Sequence, residues 1–128
     1  MSNIRNEAHY LEASADWSFL NGCFGNDAIR VADVDGAVEI NGHTLFFEWK
    51  TLRGYVSGGV GRMFDTWSAR GDYVLVLWGP KGDPQFWQVW RRKRKENDKK
   101  PCTIHEVQDF VRRWARWARA LGAGKDGG

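Results

Sequence analysis

The chain has 128 residues, 42% of them apolar, which is enough for one small core and excludes a large multidomain assembly. Its two cysteines, Cys23 and Cys102, lack metal-ligand spacing and are too few for a disulfide framework, and no apolar run approaches the roughly 18 residues of a membrane span. The net charge of +3 is unevenly spread: residues 1–90 hold seven Lys and Arg against eleven Asp and Glu, whereas residues 91–121 hold eleven against four, predicting an acidic body with a basic surface for nucleic acid.

Residues Asn6 to Asn21 carry Ala8, Leu11, Ala15, Phe19 and Leu20 at near-helical spacing and predict one or two short helices. Gly22 to Asp27 reads as a turn, and Ala28 to Val31 as a short strand leading into the next element.

Residues 33–50 read as a β-hairpin about Asn41-Gly42, since a type I′ turn needs positive φ at both central positions. Pairing Ile40 with His43 sets Asp35 opposite Glu48 and Asp33 opposite Lys50. Alternation then gathers all four on one face, while Val34, Val38, Ile40, Leu45, Phe47 and Trp49 take the other. Two carboxylates facing each other across about 5 Å repel unless a positive group lies between them. Mg²⁺ suits such a pair, because it takes one or two carboxylates and fills its other positions with water and phosphate oxygens. Beside it, the Lys50 ammonium is placed to hold a nucleophile or stabilise charge developing at phosphorus.

Thr51 to Gly61 is a glycine-rich loop without the Gly-Lys-Ser/Thr ending of a nucleoside-triphosphate loop. It is either a phosphate cradle or a mobile loop beside a cleft. A helix from about Val60 to Ala69 presents Met63, Phe64 and Trp67 to a core. Tyr73 to Trp78 is a continuous apolar run, predicting a strand buried on both faces and parallel to the Glu48 strand. After the turn at 79–84, Gln85 to Trp90 is expected to return antiparallel.

Residues 91–100 form a dense basic stretch, expected as a mobile loop whose Arg91, Arg92, Lys93, Arg94, Lys95, Lys99 and Lys100 contact phosphates without regard to sequence. Thr103 and Glu106 have capping-box spacing, with Cys102 and Val107 as a hydrophobic staple. The helix should run to about Leu121 and stop at Gly122, with Phe110, Trp114, Trp117 and Leu121 facing the core and Arg112, Arg113, Arg116 and Arg119 on other faces. One domain over 1–121 and a flexible tail over 122–128 follow. His9, His43 and His105 have no ligand spacing.

An Asp, a hairpin and then Glu-x-Lys on the returning strand resembles the signature of the PD-(D/E)xK nuclease superfamily, which includes restriction endonucleases, archaeal Holliday-junction resolvases and small phage-borne VRR-NUC-type nucleases. The 13-residue step from Asp35 to Glu48 is similar to the short hairpin of the resolvase-like members. The resemblance implies an α/β fold: a central mixed β-sheet flanked by helices, a restriction-endonuclease-like αβββαβ core and a C-terminal helix. It implies Asp35, Glu48 and the Trp49 carbonyl as ligands of Mg²⁺ or Mn²⁺, with Asp33 competing for the role, and Lys50 as the catalytic lysine. Family members often place a further acid on the leading helix, where Glu7 and Glu12 are the candidates. The implied activity is metal-dependent DNA hydrolysis, structure-specific on branched or junction DNA, by a homodimer in a bacterial or phage-infected cytoplasm. The alternative is a nucleic-acid-binding or protein-interaction module that keeps this fold without catalysis.

Overall fold

The computed structural model describes residues 16–26, 28–92, 94–95 and 98–125; most of the expected leading helix, with Glu7, Glu12 and His9, lies outside them, as does Lys93. The backbone divides into two compact units, Met1–Asp33 and Val34–Gly128. In the first, Ser18–Leu20 form a single 3₁₀ turn. The strand expected over Ala28–Val31 is not formed among the described residues. Asn26 closes a local turn instead, its Oδ1 accepting the Ala28 N–H at 2.8 Å and its carbonyl the Ile29 N–H at 3.0 Å.

The second unit contains the strands β1 (Gly36–Ile40), β2 (His43–Lys50), β3 (Tyr73–Trp78), β4 (Phe86–Arg91), β5 (Arg94–Lys95) and β6 (Lys100–Pro101). They form one sheet in the order β1-β2-β3-β4-β5, with β6 also on β4. Helix α1 (Gly58–Ala69) connects β2 to β3, and α2 (Ile104–Lys125) ends the unit. Asn41 and Gly42 have φ of 50° and 84°, and the hairpin register runs from Ile40↔His43 to Gly36↔Phe47, as the Asn-Gly turn predicts. The paired ladder stops at Gly36, however, so neither Asp33 nor Asp35 is a strand residue.

β2 and β3 are parallel, with α1 as the crossover, and β4 returns antiparallel on β3. Apolar side chains of opposite parity then fill two cores. On one face Phe64, Val74, Val76 and Trp78 pack with Phe46, Met63, Trp67 and Trp90 beneath α1. On the other, Leu45, Leu75, Leu77 and Val89 pack against Val107, Trp114 and Ala118 of α2. Val74, Leu75 and Val76 are fully buried, as a strand covered on both faces requires. This is an α/β domain with helices on both sides of a mixed sheet.

The capping box forms as expected: the Thr103 N–H donates to Glu106 Oε1 at 2.9 Å, and the Glu106 N–H to Thr103 Oγ1 at 3.2 Å. Cys102 packs against the cluster that contains Val107. The helix does not stop at Gly122 but continues to Lys125. Glycine ends a helix when it adopts positive φ, and Gly122 does not; otherwise it weakens the helix only by about 1 kcal/mol. Leu121, expected in the core, is 43% exposed, and Ala118 one turn earlier is buried in its place.

Part of the basic stretch is paired rather than open loop: among its described residues, Arg91 pairs with Arg94 and Lys100 with Trp87, and Arg92 has φ of 54°.

Candidate active site

β2 sets the site. Its even positions, Phe46, Glu48 and Lys50, share the α1 face, where Phe46 stacks on Trp67 with ring centroids 4.0 Å apart. Glu48 and Lys50 lie further along the strand, and the Lys50 ammonium is 3.4 Å from Glu48 Oε1. Both are largely sheltered, with side chains 16% and 21% exposed, which distinguishes this pair from a solvated surface ion pair.

Asp35 joins them from outside the ladder. Its Oδ2 accepts the Trp49 backbone N–H at 2.7 Å, so a side-chain oxygen takes the position that a β1 carbonyl would hold in a continued ladder. The same arrangement brings the Asp35 carboxylate near enough to Glu48 for its charge to be felt there. Burial raises the Glu48 carboxyl above the usual glutamate range; the negative charge of Asp35 raises it further, and Lys50 opposes the shift. The acid pair is therefore short of positive charge even with the lysine beside it.

A divalent cation fits that deficit. Its oxygen donors would be Asp35, Glu48 and the Trp49 carbonyl. A strand residue directs its N–H and C=O to the same edge, so the Trp49 carbonyl leaves on the side where Asp35 binds its N–H. The next carbonyl, of Lys50, accordingly faces β3, where it accepts the Gly79 N–H at 3.2 Å. Hard oxygen donors with room for water match Mg²⁺ or Mn²⁺. Among the described residues no group of three or more His, Cys, Asp or Glu side chains is gathered, so an ion here would keep several waters.

The strand ends are braced. Trp49 Nε1 donates to the Gly79 carbonyl at 3.0 Å, and Trp78 Nε1 to the Gly54 carbonyl at 2.8 Å. Gly79 has φ of 153°, and a Cβ there would overlap the Asp83 carbonyl. Gly54 sits so close to Lys50 that a Cβ would come within 3.1 Å of the lysine's own. The glycine-rich loop thus closes against Lys50, while at the start of α1 the Val60 N–H is already taken by Ser57 Oγ at 3.3 Å.

The basic residues are distributed rather than pooled. Lys99 donates to the Leu52 carbonyl at 2.8 Å and lies 4.9 Å from the Trp78 ring centroid, which brings a second ammonium to the Lys50 end of the sheet. Arg91, at an odd position of β4, faces the α2 side and bonds the Tyr73 hydroxyl at 3.0 Å. Arg92 and Lys100 are exposed, and Arg94 and Lys95 form β5. Asp33 belongs to the first unit and lies outside the β1–β2 ladder, which ends at Gly36. His43 packs on Trp117 at 4.8 Å, on the face away from Glu48.

Gln88 is placed in a strand by the sequence reading and given no functional role there. It is 6% exposed and occupies the cross-strand row Glu48↔Val76↔Gln88 on the α1 face. A glutamine alone within the apolar strand Phe86-Trp87-Gln88-Val89-Trp90 was the available signal.

No family model matches this chain, and no curated protein or solved structure matches it either. Among the described residues, no helix is long and apolar enough to cross a membrane.

Proposed function

We propose that the chain is a Mg²⁺- or Mn²⁺-dependent deoxyribonuclease that hydrolyses phosphodiester bonds, with a restriction-endonuclease-like core. The observation that carries this reading is the grouping of a sheltered Glu48–Lys50 pair, 3.4 Å apart, with an exposed Asp35 whose side chain holds the Trp49 N–H and whose charge acts on Glu48, on a strand edge that also presents a carbonyl. Asp35, Glu48 and the Trp49 carbonyl would hold the ion. When bound, the ion would supply charge compensation at the phosphate and a lowered pKa for an attacking water. The residues do the rest. Asp35 is held by the Trp49 N–H, Glu48 is paired with Lys50, and Lys50 would present a positive charge where negative charge builds on the phosphoryl oxygens. Lys99 offers a second cation to the adjoining phosphate.

DNA as substrate, a preference for branched structures and a homodimeric state rest on the resemblance of the Asp35, Glu48 and Lys50 pattern to PD-(D/E)xK nucleases. The test is cleavage of labelled duplex, single-stranded, flap and four-way-junction DNA with Mg²⁺, Mn²⁺ or EDTA, wild type beside Glu48→Ala. Metal-dependent cutting lost in the variant is the expected result. A second reading, a binding module without catalysis, is favoured by the small number of acidic ligands gathered among the described residues. Binding without cutting of any substrate would select it.

A further inference from the structure

Beside the triad lies a cavity of 440 Å³, bounded by the loop Gly54–Gly58, by Trp78, Gln88 and Trp90 of the sheet, and by Lys99. We infer that this cavity receives an unstacked nucleobase of the strand whose phosphate lies at Asp35 and Glu48. The substrate would then be DNA with unpaired nucleotides at the point of attack, rather than continuous duplex. The inference rests on the nuclease reading for the position of the phosphate.

Three observations carry it. First, Gln88 is a buried amide in an otherwise apolar strand, and its Oε1 accepts the Trp90 indole N–H at 2.9 Å. With the oxygen engaged, the amide has its two N–H donors to offer, and these suit the ring and carbonyl acceptors on a base edge. Second, Tyr55 is 77% exposed at the rim, a large aromatic surface of the kind on which unpaired bases stack. Third, Lys99 is fixed by the Leu52 carbonyl and by the Trp78 ring, so a cation stands in the cavity wall, whose Gly54 abuts Lys50. Gln88 stands two strands from Glu48 in one cross-strand row, about 10 Å at the usual strand spacing, within the reach of a nucleotide anchored by its phosphate. A base stacked and paired within a duplex has no face free to meet Tyr55, and its Watson–Crick edge is already taken.

The test compares an octathymidylate with an abasic octamer of the same length and charge, each binding the full chain in EDTA. Equal charge removes the phosphate contribution from the comparison. The expected result is about tenfold tighter binding of the octathymidylate, falling to less than about threefold in Tyr55→Ala and in Gln88→Leu. Tyr55 is too exposed for its loss to unfold the domain, so that variant decides the matter should Gln88→Leu fail to fold. Equal affinity of the wild type for the two octamers, or selectivity unchanged in Tyr55→Ala, would overturn the base site. Because this comparison needs no cutting, its failure is separate from failure of the nuclease reading, which is judged by Mg²⁺-dependent cleavage alone.

Discussion

Asp35 holds the Trp49 backbone N–H at 2.7 Å, and its charge acts on Glu48, the residue before Trp49. One hydrogen bond thus lies both at the end of the β1–β2 ladder and beside the second acid. The substitutions Asp35→Asn and Asp35→Ala separate these roles. Asparagine retains an acceptor and should leave stability within about 1 kcal/mol, whereas alanine removes the bond and should cost about 1 kcal/mol, roughly 4 °C in Tm. Mg²⁺ is expected to raise the Tm of the wild type, and both substitutions should abolish that rise, measured by thermal melts with and without the ion.

Glu48 provides the pH test. Its folded carboxyl titrates above the unfolded value because of burial and then Asp35, so between those two values the native state binds more protons than the unfolded chain. Its contribution to stability is complete below the ordinary glutamate pKa and is lost as pH rises through the folded pKa. In EDTA, Glu48→Gln should therefore match wild type at acid pH and melt a few degrees higher at neutral pH. Melts across pH 4 to 8 that show no widening gap would overturn this account of the site.

Activity should follow the same residue in the opposite direction. Glu48→Gln, although more stable at neutral pH, should cut DNA about a thousandfold more slowly in Mg²⁺. A stabilised but inactive variant is the combination expected where local repulsion is retained for function.

Lys50→Met should lose cleavage to a similar degree while its affinity for DNA in EDTA changes by no more than about threefold, because one ammonium among many contributes little to total phosphate attraction. Equal loss of binding and cleavage would make Lys50 a phosphate contact only. Lys99→Ala should reduce the slope of log affinity against log salt by about 1, read from binding titrations at several salt concentrations.

Much of the domain follows from local chemistry. Asn41-Gly42 determines the hairpin register, because only positive φ at both residues closes a two-residue turn with the right twist. The apolar run Tyr73–Trp78 determines a strand covered on two sides, and Thr103 with Glu106 determines where the last helix begins. Those signals lie within a few residues of what they specify, so Glu48 and Lys50 could be placed on one face of β2 from sequence alone.

The tertiary structure decided what depends on distant partners. That Asp35 meets β2 through its side chain rather than as a paired strand residue turned on where β1 stops, and it stops where the Asp35 side chain captures the Trp49 N–H. Lys99 was legible only as one cation in a basic stretch; its place near Lys50 comes from the Leu52 carbonyl and the Trp78 ring, 47 and 21 residues away. Gln88 reaches the row of Glu48 through β3; the directions of the three strands follow from the sequence, but the register that aligns these two residues does not. Sequence specifies the elements because turns and caps are short-range, whereas the site is assembled by side chains that meet only after the sheet has closed.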